Sequence, residues 1–253
     1  MSTHQPAPAA AAAVLFGLVA LGAANAATGS CSVRSGPISA PVVELYTSEG
    51  CNSCPPADQW LSRMKADPGV VALAFHVDYW DRLGWKDRFA SAAYTQRQAQ
   101  TQRSSGARFS YTPQVIVDGA DQPRWGGLAT PLPAQGRPTS PVDVNLARDG
   151  NRFSANVSVL AGAPPRLAAY WAVTEQGHVS AVKAGENEGV TLKHDYVVRE
   201  YQPVAAWRAA PDAAATLEFE VGSAADPAHA RQVNLVIVNA DTGRPVQALK
   251  LGC

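Results

Sequence analysis

Cys51-Asn52-Ser53-Cys54 is the stretch of this chain whose residue types and spacing most directly suggest chemistry. Two cysteines separated by two residues can cycle between a disulfide and a pair of thiols. Only the thiolate attacks a disulfide, so such a pair works where its surroundings lower a thiol pKa. In this reading Cys51, nearer the turn and more exposed, is the attacking sulfur. Cys54, inside the first turn of a helix, resolves the mixed disulfide. The competing reading is an inert bridge. A two-residue spacer closes a very small loop and restrains the unfolded chain little, which favours redox or metal chemistry over a staple.

The flanking sequence must supply the elements that position the pair. Pro41-Val42-Val43-Glu44-Leu45-Tyr46 is apolar and β-branched and reads as a buried strand. Pro55 to Lys65 reads as a helix, with prolines where a first turn tolerates them and Trp60, Leu61 and Met64 on one face. The unpaired N–H groups at its start would stabilise a thiolate. Asp67-Pro68-Gly69 stops the helix, and Val70 to Asp78 reads as a central strand. An aromatic and charged loop covers residues 79–86, and Phe89 to about Gln102 reads as a helix. Tyr111-Thr112-Pro113-Gln114 opens the strand Val115-Ile116-Val117, with a hairpin at Asp118-Gly119. This order predicts a thioredoxin-like α/β domain over residues 41–130. In it Pro113 would be cis and face the cysteines, and Thr112, Pro113 and Trp80 would bind substrate. An ordinary trans proline opening an edge strand is the other reading.

Other residues could support the pair. His76 and Asp78 alternate to the same side of the expected strand. Asp78 could accept a proton near the second cysteine, or His76 could join the thiols as a metal ligand. Both could instead only anchor the aromatic loop. Tyr79, Trp80 and Trp85, with Asp81 and Lys86, either flank the mouth of the site or cap the core. Gly185-Glu186-Asn187-Glu188-Gly189 reads as a polar turn whose spacing is not that of an EF-hand. His194-Asp195 and Arg199 are placed to reach from the second half to the first.

The chain has 253 residues, 46% of them apolar, with 21 basic and 21 acidic side chains. Zero net charge and the absence of a basic run argue against nucleic acid as a partner. Residues 1–26 read as a signal peptide, with an apolar run from Ala9 to Ala24 and a small-x-small site at Ala24-Asn25-Ala26. Met1 to Pro8 lacks Lys and Arg, and an uncleaved anchor is the alternative. Cleavage predicts export to the periplasm or beyond, with no stable membrane span afterwards. Export suits disulfides, and Cys31 with Cys253 would join the chain ends, following an extension over 27–40. Lipid on Cys31 is the alternative, and four cysteines allow three pairings. Residues 131–141 are proline-rich and read as a linker. Beyond them, short strands at Val142–Leu146, Phe153–Leu160, Leu167–Val173, Val190–Leu192, Tyr196–Glu200, Thr216–Val221 and Val233–Val238 predict a smaller, mostly antiparallel sandwich-like domain over 142–253.

The run from Glu44 to Asp58 resembles the signature of a secreted bacterial family catalogued as domain of unknown function 1223. So do His76-Val77-Asp78-Tyr79-Trp80-Asp81, Leu83-Gly84-Trp85-Lys86-Asp87, Tyr111-Thr112-Pro113-Gln114, Gly185-Glu186-Asn187 and His194-Asp195-Tyr196-Val197-Val198-Arg199. The resemblance spans nearly all of the chain after the signal segment. It implies a thioredoxin-like domain and brings no substrate. Gly50 stands where ordinary thioredoxins have tryptophan, and Asn52-Ser53 replaces Gly-Pro. Neither the potential nor the direction of electron flow therefore carries over.

Three readings follow. The first is an exported thiol–disulfide oxidoreductase using Cys51 and Cys54 on protein or small-molecule thiols and disulfides, with no cofactor and no metal. The second is a metal-binding or copper-delivery protein with Cys51, Cys54 and His76 as donors, although the chain has only Met1 and Met64 to add soft ligands. The third is a non-catalytic periplasmic interaction module with an inert bridge.

Overall fold

Strands outweigh helices in the described backbone, because β-branched and aromatic residues recur in short runs broken by Gly, Pro and Asp. The computed structural model describes residues 1–3, 30–130, 132–133, 135–211 and 214–253. The expected signal peptide lies almost wholly outside them. The described residues form fourteen strands: β1 (Cys31–Arg34), β2 (Val42–Thr47), β3 (Val71–His76), β4 (Gln114–Val117), β5 (Ala120–Asp121), β6 (Val142–Asp149), β7 (Arg152–Val159), β8 (Arg166–Glu175), β9 (His178–Ala181), β10 (Thr191–His194), β11 (Val197–Arg208), β12 (Ala214–Glu220), β13 (Arg231–Asn239) and β14 (Pro245–Leu251). Two α-helices accompany them, α1 (Pro55–Ser62) and α2 (Ala92–Ser105).

This architecture overturns the expected thioredoxin-like α/β domain followed by a smaller separate β domain. The fold is mostly β, and one eight-stranded sheet runs β14-β13-β8-β11-β3-β2-β4-β5 through both halves of the chain. Its seam is β11. Val197 pairs in parallel with Ala74 of β3, and the Ala74 amide donates to the Tyr196 carbonyl at 2.8 Å. The rest of β11 runs antiparallel to β8, from Val197 opposite Glu175 to Arg208 opposite Arg166. β3 was legible as an apolar run buried on both faces, but nothing local says which strand completes its second edge. The proline-rich segment is not a free linker either. Arg137 holds it with two 2.9 Å bonds to Asp118 and one of 2.8 Å to the Ser39 carbonyl.

A second sheet, β1-β6-β7-β12, packs on one face of the large one. Leu146, Phe153 and Phe219 meet Trp171, Leu235 and Ile237 there. On the same face, farther along, α1 lays Ala57, Trp60 and Leu61 over Val43, Leu45, Ala72 and Ala74. Tyr94 of α2 packs on the opposite face with Tyr46, Phe75 and Tyr170. The alternation Val43–Leu45 against Val42–Tyr46 is the period-two pattern that lets one strand serve two layers. β9 and β10 form a separate hairpin-like pair. Cys31 and Cys253 are joined, with Cα atoms 6.6 Å apart, so β1 is tied to the end of the chain. Among the described residues, no helix is long and apolar enough to cross a membrane.

One buried ion pair fixes α2. Arg97 pairs with Glu44 of β2, donates to Tyr201 Oη at 2.9 Å, and lies 4.1 Å above the Tyr170 ring. Tyr170 and Tyr46 donate their hydroxyls to the same Glu44 carboxylate at 2.6 and 2.9 Å. Removing one member leaves an uncompensated charge in the interior. We predict that Arg97→Met lowers stability by about 3–5 kcal/mol in urea unfolding. A loss below about 1 kcal/mol would show that the pair is solvated and dispensable.

Candidate functional site

Backbone geometry brings the two cysteines together. After β2 the chain turns through Ser48-Glu49-Gly50, and the Cys51 amide donates to the Ser48 carbonyl at 3.2 Å. Cys54 is the N-cap of α1, and its carbonyl accepts from Ala57 at 2.9 Å and Asp58 at 3.1 Å. Pro55 and Pro56 fill first-turn positions where a missing N–H costs nothing. The sulfurs of Cys51 and Cys54 are joined, with Cα atoms 5.4 Å apart.

Thr112, which precedes Pro113, faces this disulfide. The Thr112–Pro113 peptide bond is cis, and Thr112 Oγ1 donates to Cys51 Sγ at 3.3 Å. Trp80 Nε1 donates in turn to Thr112 Oγ1 at 2.8 Å. The Ser53 hydroxyl also lies 3.4 Å from Cys51 Sγ. Gln98 of α2 donates to the Tyr111 carbonyl at 2.8 Å and steadies the approach to Pro113.

Cys51 is not the more exposed sulfur: both cysteines are fully buried, while Asn52 and Ser53 are exposed. The cover comes from two directions. Asn187, between β9 and β10, donates from Nδ2 to the carbonyls of Glu49 at 2.8 Å and Cys51 at 3.0 Å. Glu186 beside it accepts from the Asn52 amide at 3.1 Å. From the other side, a Cβ on Gly50 would stand 3.0 Å from Trp80 Cβ, so that position has no room for a side chain.

Beneath the cysteines lies a dense group of buried polar side chains: Glu49, Asp58, His76, Asp87 and His194. His76 does reach inward from β3, and its Nδ1 donates to Asp87 Oδ2 at 2.7 Å. The same carboxylate accepts the Glu49 amide at 2.9 Å and, through Oδ1, the Phe89 amide at 2.9 Å. Burial raises the Asp87 pKa, but His76 and these amides outweigh it and hold the group at about 2. His194 lies with Nε2 3.4 Å from Glu49 Oε1 and Nδ1 3.6 Å from Asp58 Oδ1. Burial opposes its charge, yet the two carboxylates win and push it up to about 10. Trp85 donates to Glu49 Oε2 at 2.7 Å, and Thr47 donates to Asp58 Oδ2 at 2.9 Å.

The remaining candidates separate. Asp78 lies beyond the end of β3 and accepts from Thr95 of α2 at 2.6 Å, so it belongs to the helix anchor rather than to the cysteines. Asp195 pairs with Lys65 at 2.6 Å, and Arg199 lies beside Glu175 at 3.4 Å with its guanidinium 5.2 Å from the centre of the Phe89 ring, so both reach the first half. Sequence reasoning overlooked Asp58, Asp87 and Glu49. Asp58 had a signal, since a residue four after Cys54 shares its helix face.

The sequence model of a family described as "Protein of unknown function (DUF1223)" matches residues 42–239. No curated protein matches the chain. Among solved structures, an Agrobacterium tumefaciens protein determined by X-ray crystallography superposes with a TM-score of 0.60 at 27% identity, covering 86% of this chain and 96% of that one. HBP35 of Porphyromonas gingivalis superposes with a TM-score of 0.60 at 15% identity, covering 86% and 76%, a likeness of fold alone.

The contacts of Asn187 make it the latch of the site. Asn187→Ala is expected to accelerate reduction of Cys51–Cys54 by dithiothreitol and to destabilise the protein by about 1–3 kcal/mol, because two buried carbonyls lose their donor. Stopped reduction with alkylation and peptide mapping reads the rate, and an unchanged rate would remove Asn187 from that role.

Proposed function

This chain belongs to the DUF1223 family, whose description assigns no activity, and we propose from the site itself that Cys51 and Cys54 carry out thiol–disulfide exchange. The observation that carries the proposal is the sulfur of Cys51, held in the turn that leads into α1 and hydrogen-bonded by Thr112. The partners in this reading are protein or small-molecule thiols and disulfides. The two disulfides suit an oxidising compartment outside the cytoplasm.

The exchange balances without a cofactor. A substrate thiolate attacks Cys51 Sγ and forms a mixed disulfide. The Cys51–Cys54 bond breaks, and Cys54 leaves as a thiolate facing the N–H groups of the first turn of α1. A second substrate thiolate then attacks the substrate sulfur, and Cys51 leaves. The substrate loses two electrons and two protons, and the protein holds two reduced cysteines. Read backwards, the same steps reduce a disulfide. Thr112 would orient the Cys51 sulfur in either direction. Its hydroxyl can donate to a thiolate as it does to the disulfide. Because both sulfurs are buried, a substrate must lift the turn carrying Glu186 and Asn187 before attack.

Cys51→Ser should abolish exchange with a dithiol substrate, while Cys54→Ser should trap a mixed disulfide on Cys51. The reduction potential of the pair, equilibrated against glutathione or dithiothreitol, should fall between about −120 and −270 mV. A value below about −300 mV would mark an inert bridge and end this reading.

A further inference from the structure

Two of the buried polar side chains, His76 and His194, leave three ring nitrogens without a hydrogen bond. His76 Nε2 and both ring nitrogens of His194 have no hydrogen-bond partner, although His76 is fully buried and His194 is 2% exposed. Buried polar atoms ordinarily find partners, and each one left over calls for an explanation. Asp58, His76 and His194 can each present one ligand atom within 4.8 Å of the others.

We propose that Asp58, His76 and His194 form a binding site for a divalent first-row cation, with Zn²⁺ the ion that best suits two imidazoles and a carboxylate. The ligands come from three elements, α1, β3 and β10, and each is oriented by a second group. His76 gives Nδ1–H to Asp87, so its free Nε2 lone pair faces the cluster. His194 sets Nε2 against Glu49 and so leaves Nδ1 on the Asp58 side. Thr47 fixes the other oxygen of Asp58. A carboxylate behind each ligating histidine is the usual way in which proteins set tautomer and ring orientation at a metal.

The spacing is close to what an ion requires. Zinc–nitrogen and zinc–oxygen bonds of about 2.0–2.2 Å put two ligands on one ion about 3.3–3.6 Å apart in a tetrahedron. The His194 Nδ1 to Asp58 Oδ1 separation of 3.6 Å already meets this. The widest separation must contract by about 1 Å, within reach of side-chain torsions. Three protein ligands leave a fourth position for water. A path also exists, because a cleft of about 390 Å³ between α1 and β10 is lined by Pro55, Asp58, Gln59, Thr191, Lys193 and His194. The site does not use the sulfurs of Cys51 and Cys54, which are joined to each other, so it stands or falls separately from thiol exchange.

The test titrates the chelator-treated, disulfide-intact protein with Zn²⁺ by calorimetry and with Co²⁺ by visible absorption, folding being checked by circular dichroism. One ion per chain is expected in the wild type and in the Cys51→Ser/Cys54→Ser double variant. His194→Gln should remove the stoichiometric binding. Asp87→Asn, which keeps an oxygen acceptor and so preserves more of the local hydrogen bonding, should weaken it by about 10–100-fold. The proposal is overturned if the folded wild type takes up neither ion. It is equally overturned if binding survives both His194→Gln and Asp87→Asn unchanged, or if it disappears in the double cysteine variant, which would make the thiolates the ligands.

Discussion

The seam at which β11 joins β3 is the constraint on which the rest of the molecule depends. Val197 beside Ala74 continues the large sheet into the second half of the chain. A free edge on β3 would present unpaired amides and carbonyls in the middle of an apolar surface, so the second half completes the first. The same pairing fixes where β10 and the turn before it must lie. Residues 185–194 are delivered over the start of α1, and Asn187 and His194 reach groups that are more than a hundred residues away in sequence.

Electrostatics reinforce that seam from both faces. On the α2 side, a single carboxylate, Glu44, gathers Arg97, Tyr46 and Tyr170. On the α1 side, Glu49, Asp58 and Asp87 share a small volume with two histidines. Three buried carboxylates repel one another, and burial penalises each. They persist because every one has a donor from another element: Trp85 for Glu49, Thr47 for Asp58, His76 and two backbone amides for Asp87. Substitutions in this group are therefore coupled, and their effects will not add.

The cysteines sit at the boundary between this polar interior and solvent. Asn52 and Ser53 face outward, while the sulfurs do not. Hydrogen bonds from Asn187 and Asn52 close the turn against the second half of the chain, and the approach of Trp80 excludes any side chain at Gly50. Covering a disulfide this way shields it from adventitious thiols and makes access depend on local opening of one polar turn.

What the sequence determined by itself is local. Apolar alternation in Val42–Tyr46, the prolines that open α1, Ser91 capping α2 and the glycines and aspartates at turns specify their elements through contacts a few residues long. The Cys51–Cys54 spacing and the position of Pro113 were visible for the same reason. The short strands β1 and β9 carried too few residues for a period to register, and β14 opens on a proline that reads as a break. Tertiary structure alone decided that the two halves share one sheet, that both cysteines are covered, and that Asp58, His76 and His194 converge. Each of these depends on which distant strand fills an open edge, and that choice is made by packing and hydrogen-bond satisfaction over the whole molecule, which no local pattern encodes.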